Sequence, residues 1–150
     1  IADENAEKTV KMMHKTYMEF DPHTIWEAYS PSEPKPSTQK RDNLGVRPDF
    51  CGWSALGPIS LFIENILGFH RVSAIDNVIE WRIHHPKKHG IKHLKFGKIN
   101  TDIMFENNTI EIKTNAPYRL ILTNYRGEII KEFEIKEGEN EFNFSFEKNG

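Results

Sequence analysis

The spacing of apolar residues changes once along this chain, and that change limits what it can fold into. Ala6, Val10, Met13, Tyr17 and Phe20 return at steps of four, three, four and three, which predicts an amphipathic helix over residues 3 to 20. After Asn77 the period is two. Trp81 with Ile83, Ile110 with Ile112, Tyr118 with Leu120 and Leu122, and Phe142 with Phe144 and Phe146 alternate as half-buried strands do. Turn signals separate them at His85-Pro86, Asn107-Asn108, Asn115-Ala116-Pro117, Asn124 to Gly127 and Lys136-Glu137-Gly138. About seven short strands at this spacing predict a small antiparallel β-sandwich of the accessory kind. The class expected is α+β: a helical hairpin over residues 1 to 70, then a β-sandwich over 71 to 150.

Between the two patterns lies a second helical stretch, Ser54 to Leu67. Leu56, Ile59, Leu61, Phe62, Ile63, Ile66 and Leu67 are apolar around most of its circumference, which predicts a buried helix. Gly68 is its expected C-terminal stop, and Pro58 is placed in the first turn, where a missing amide hydrogen costs little. Asp21-Pro22 ends the first helix, because proline disfavours helical geometry in the residue before it. A buried helix with one amphipathic companion implies helical neighbours that this chain does not contain. With Ile1 in first place and no signal-peptide profile, the expectation is a piece of a longer protein; processing of a complete small protein leaves the same start.

Composition narrows the function classes. The formal net charge is −2 with both signs interspersed, so no basic footprint for nucleic acid or an anionic membrane is present. The longest apolar run, Ala55 to Leu67, is interrupted by Gly57, Pro58, Ser60, Glu64 and Asn65 and is too short to span a bilayer. A single cysteine, Cys51, excludes an intramolecular disulfide framework and a cysteine-based zinc site. It leaves cytoplasmic, periplasmic and secreted compartments open.

Ser30 to Pro48 holds Pro31, Pro34, Pro36 and Pro48 among Ser, Thr, Lys, Arg and Asp, the composition of a loop. Loops longer than about 12 to 15 residues are uncommon in compact domains and serve as binding loops, lids or disordered linkers. Aromatic clusters flank this one: Trp26-Glu27-Ala28-Tyr29 before it and Phe50-Cys51-Gly52-Trp53-Ser54 after it. A carboxylate set between aromatic rings can act as a general base toward water in glycoside hydrolysis, while rings pack on apolar sugar faces. The plain structural alternative is a surface Glu27 between two core aromatics.

The two clusters resemble the C-terminal end of the six-hairpin toroid glycosidases, the (α/α)6 group that includes trehalases, processing α-glucosidases and mannosylglycerate-hydrolase-like enzymes. Trp26-Glu27-Ala28-Tyr29 is similar to the Glu-x-Tyr motif in which that group carries its general base. Phe50 to Ile59 is similar to the aromatic-Gly-Trp-Ser stretch that opens the final barrel helix. A β-sandwich after the barrel also occurs in related six-hairpin enzymes such as bacterial α-rhamnosidases. The close resemblance covers residues 3 to 69. It implies Glu27 as general base, Trp26, Tyr29 and Trp53 as cleft walls, and Arg47 and Asp49 as contacts to sugar hydroxyls. It further implies a carbohydrate substrate, an inverting α-glycosidase as the parent enzyme, the missing N-terminal barrel segment as partner, and no metal or organic cofactor.

One departure bears on activity. Inversion needs a second carboxylate about 6.5 to 9.5 Å from the base. In these families that acid lies on a much earlier hairpin, so the isolated chain is expected to be inactive. A competing expectation from another class is a non-catalytic module whose β-sandwich binds carbohydrate or protein and is capped by the helices. A third is self-association through the Ala6-Val10-Met13-Tyr17 stripe.

Other chemistries have weaker footing. His84, His85, His89 and His93 invite a metal reading, but Pro86 and Gly90 oppose a helix there, and a solvated hairpin is expected instead. There is no Gly-x-Ser-x-Gly elbow, phosphate loop or dinucleotide fingerprint.

Overall fold

The computed structural model describes residues 2–37 and 51–145, so Arg47 and Asp49 lie outside the described residues. The protein is α+β and mostly β, with two compact units, Ile1–Ile66 and Leu67–Gly150.

In the first unit, α1 runs Ala2–Glu19. Its inward side carries Ala6 and Thr16, both buried, with Val10, Met13 and Phe20 half-buried. Tyr17, expected on this stripe, is exposed, and Thr16 takes the inward place. Burying a hydroxyl is tolerable here because Thr16 Oγ1 donates to the Met12 carbonyl at 2.9 Å, a back-bond that satisfies it within the helix. Glu7 with Lys11 and Lys15 with Glu19 form i,i+4 pairs on the wet side. Such pairs contribute about 0.2–0.5 kcal/mol each.

The second helix begins earlier than expected. α2 runs Gly52–Ser60 and continues directly into a π-helical turn over Leu61–Ile66. Pro58 is therefore inside the helix instead of in its first turn, and it cannot supply the amide hydrogen that the Ser54 carbonyl would otherwise accept. The widened π-turn follows that interruption. Nor is this helix buried: only Ala55 is, while Trp53, Leu56, Ile59 and Phe62 are 66, 70, 56 and 43% exposed. α1 packs chiefly on the π-helical turn, and Asn65 Nδ2 donates to Asp3 Oδ1 at 3.1 Å across that contact.

The second unit holds eight strands: β1 Phe69–Ser73, β2 Val78–Trp81, β3 His89–Phe96, β4 Ile99–Glu106, β5 Thr109–Thr114, β6 Tyr118–Thr123, β7 Ile129–Ile135 and β8 Gly138–Asn143. They form two four-stranded sheets, β1-β2-β6-β7 and β3-β4-β5-β8. Antiparallel pairing was the expectation, and one pair departs from it: β2 and β6 run parallel, with Val78 opposite Arg119 and Trp81 opposite Leu122. Parallel neighbours need a long crossover. Here β3, β4 and β5 occupy it.

The sheets face each other through interleaved side chains. Phe96 meets Tyr118 edge-on at 5.7 Å between ring centres, and Phe133 meets Phe142 at 4.2 Å. Tyr118 Oη lies 3.2 Å from Thr101 Oγ1, and burial raises its pKa. At the centre are Trp81, Phe105, Ile103, Leu120 and Leu122, all essentially inaccessible. Trp81 stacks on Phe69 at 4.9 Å and donates its indole N–H to the Leu67 carbonyl at 2.8 Å.

Local chemistry sets the turns. Asn107 and Asn108 both have positive φ, 52° and 60°, between β4 and β5; a two-residue loop of this kind matches the twist of its strands, and Asn tolerates the conformation. Gly68 has φ +86°, and a β-carbon there would lie 2.1 Å from the Arg82 carbonyl oxygen. No other residue fits this meeting of chain stop and strand entry.

Candidate functional site

The two aromatic clusters come together within the helical unit. The Cys51 amide donates to the Ile25 carbonyl at 2.9 Å, holding the start of α2 against the stretch that carries Glu27. Cys51 is itself the N-cap, in extended conformation and without a side-chain capping bond, and its carbonyl accepts from Ala55 at 3.1 Å. One turn into the helix, Ser54 Oγ donates to the Glu27 carbonyl at 3.0 Å and lies 3.5 Å from Cys51 Sγ. Residues far apart in the chain thus fix the backbone of Glu27 from one side.

From the other side the backbone is held by a small hairpin. Tyr29 bridges Pro36 in antiparallel fashion, Ser30 N–H donates to the Lys35 carbonyl at 3.0 Å, and Ser37 N–H donates to the Ala28 carbonyl at 3.0 Å. The Ser30 hydroxyl accepts from the amides of Ser32 and Glu33. The first part of the proline-rich segment is therefore folded back on the Glu27 stretch. Composition alone allowed a bare linker.

Each proposed site residue has a distinct environment. Glu27 is exposed. Trp26 is only 8% exposed and packs inward, with its indole N–H buried and without a hydrogen-bond partner among the described residues. Its backbone N–H donates to Tyr29 Oη at 3.0 Å. Tyr29 is half-buried, and burial raises the pKa of its phenol, opposed by that hydrogen bond and assisted by the nearby Cys51. Trp53 is largely exposed on the first turn of α2. The structure thus joins Trp26, Glu27 and Tyr29 to Cys51 and Ser54. Ser54 had no assigned role from sequence; its place three residues after the N-cap was the available signal.

In the β unit His93 is exposed, as a solvated hairpin would have it, whereas His84 and His85 are half-buried and His89 is buried. His89 opens β3 and is buried, with its ring 5.5 Å from those of Trp81 and Phe105 and 4.0 Å from that of His85. Its Nδ1 is 2.7 Å from the Lys87 carbonyl, which assigns the proton to Nδ1. Nε2 is then a buried lone pair without a partner among the described residues. Burial lowers the His89 pKa to about 4, against the opposing pull of the Lys87 carbonyl and with further lowering from His85 and His84. Among the described residues no group of three or more His, Cys, Asp or Glu is arranged to hold a metal ion. No helix among them is long and apolar enough to cross a membrane.

No protein-family model, curated protein or solved structure matches this chain.

Proposed function

We propose that the helical unit carries one half of a glycoside-hydrolase active site, with Glu27 as the general base of an inverting α-glycosidase. In this reading Glu27 deprotonates a water on the face of the sugar opposite the leaving group. A general acid outside this chain protonates the glycosidic oxygen. Tyr29 and Trp53 line the cleft, and Trp26, packed inward, supports its wall. Arg47 and Asp49 are proposed as contacts to sugar hydroxyls.

The observation that carries this reading is the pairing of the two motifs: the Cys51 amide on the Ile25 carbonyl and the Ser54 hydroxyl on the Glu27 carbonyl. The two stretches that resemble one active-site end in sequence also meet in space, around an exposed Glu27 whose backbone is held from both sides. The row Trp53, Leu56, Ile59, Phe62 adds support. These residues recur at every third position and remain largely exposed, and an apolar row of this size marks a surface made to be covered. In the proposed parent, the remaining barrel hairpins cover it.

The test uses both the chain and the full reading frame that encodes it. The chain alone should release no sugar from aryl α-glycosides; clear turnover that disappears in Glu27→Gln would overturn the half-site assignment. In the full-length protein, Glu27→Gln should lower kcat about 10²- to 10⁴-fold, the usual range for a general base. An unchanged kcat there rejects Glu27 as the base.

A further inference from the structure

The outward face of the β3-β4-β5-β8 sheet carries a depression lined mainly by charged side chains. Cross-strand register sets Met104, Glu111 and Glu141 side by side in one row, and Asp102, Lys113 and Glu139 in the next. At the end of the first row stands Gly90, opposite Met104. A β-carbon there would come within 2.8 Å of Met104 Cα and Sδ, so the thioether occupies space that a larger residue would take. At the end of the second row β3 is irregular between Ile91 and Leu94. His93 sits there at φ 57°, with its amide donating to Asp102 Oδ1 at 2.7 Å. This bulge bends the edge strand and brings Lys92 onto the same face. The result is a depression of about 510 Å³, within the range of about 300–1,000 Å³ for small-molecule sites.

We propose that this depression binds a neutral oligosaccharide. Its lining has carboxylates that only accept, on Asp102, Glu111, Glu139 and Glu141, and ammonium groups that only donate, on Lys92 and Lys113. Sugar hydroxyls do both, so neighbouring hydroxyls can bridge Asp102 and the Lys113–Glu139 pair, whose exposed remaining donors and acceptors stay available. Met104 provides an apolar strip for the C–H face of a ring. The alternatives fit less well. An excess of carboxylates repels nucleic acid and other polyanions. An apolar or aromatic ligand finds a single apolar side chain, Met104, directed at it. A basic peptide meets Lys92 and Lys113, while Glu139 already has Lys113 Nζ at 3.3 Å. With no aromatic platform in the lining, binding should be millimolar.

This inference rests on the carbohydrate reading of the chain and not on Glu27 as a base, so the two can fail separately. The experiment is titration of the ¹⁵N-labelled chain with neutral gluco- and manno-configured di- to tetrasaccharides, followed by amide chemical shifts. Saturable shifts at residues 102–104, 111–113 and 139–141 are expected. Lys113→Ala should weaken them about tenfold through loss of charge-assisted bonds, whereas Glu27→Gln should leave them unchanged. The proposal is overturned by the absence of saturable shifts up to the solubility of the sugars. Shifts confined to other residues, or shifts at these amides from a lysine-rich peptide and not from sugars, overturn it equally. Any of these outcomes leaves the Glu27 assignment standing on its own kinetic test.

Discussion

The hydroxyl of Ser54 donates to the backbone carbonyl of Glu27 across 27 positions of sequence, at 3.0 Å. It joins the first turn of α2 to the residue proposed as base, and it does so through the backbone. The bond engages the carbonyl of Glu27 and not its carboxylate.

Ser54→Ala should therefore loosen the Glu27 stretch without unfolding the chain. A hydrogen bond of this kind contributes about 0.5–1.5 kcal/mol net. Hydrogen exchange at the Cys51 and Ser37 amides, which donate to the Ile25 and Ala28 carbonyls, should accelerate, while β-unit amides keep their protection. Equal acceleration in both units would show that the bond is not a local tie.

Trp81 should be the most costly large-to-small change in the β unit. It is inaccessible, stacked on Phe69, and bonded to the Leu67 carbonyl. Trp81→Ala is expected to lose about 3–5 kcal/mol, read as a lowered urea midpoint. Trp81→Phe keeps most of the packing and should lose less, chiefly by leaving the buried Leu67 carbonyl without its donor.

His89 should make the β unit acid-sensitive. Its pKa is held at about 4 in the fold against about 6.5 when unfolded. Between these values the unfolded chain binds the extra proton, so stability is full above about pH 6.5 and falls as pH drops toward 4. At pH 4.5 the loss amounts to about 2 kcal/mol. Urea midpoints at pH 7.5 and 4.5 should diverge more for the wild type than for His89→Phe. Parallel pH dependence in the two proteins would reject this assignment.

Gly68→Ala tests the entry to β1. The substitution must accept φ +86° and a β-carbon 2.1 Å from the Arg82 carbonyl oxygen. Left-handed geometry alone costs about 1–2 kcal/mol, and the clash adds to it because its partner is backbone. Thermal unfolding should register a loss of at least about 2 kcal/mol.

What sequence revealed and what it hid follow from the range of the interactions. The Asn107-Asn108 turn is readable because left-handed tolerance belongs to the residues themselves, and the alternation of Ile110 with Ile112 is readable because one face of β5 meets the core throughout. The exposure of Leu56 and Ile59 is not readable, since an apolar side chain announces that it needs cover without saying where the cover comes from. His89 reads as turn chemistry beside Pro86, whereas its burial depends on Trp81 and Phe105 from other strands. At the candidate site, the Trp26-Glu27-Ala28-Tyr29 cluster is local and visible. Its tie to Ser54 is long-range and appears only in the fold.

The parallel seam between β2 and β6 has a consequence for how this chain is made. β2 emerges from the ribosome well before its inner neighbour β6, and the three strands synthesised between them belong to the opposite sheet. The first sheet cannot close until residue 135 has appeared, nor the second until residue 143. Throughout that interval Ile79, Trp81 and Ile103 have no finished layer to enter. Such long-range closure is slow and leaves sticky intermediates, so the β unit should depend on chaperones during translation more than its size alone implies.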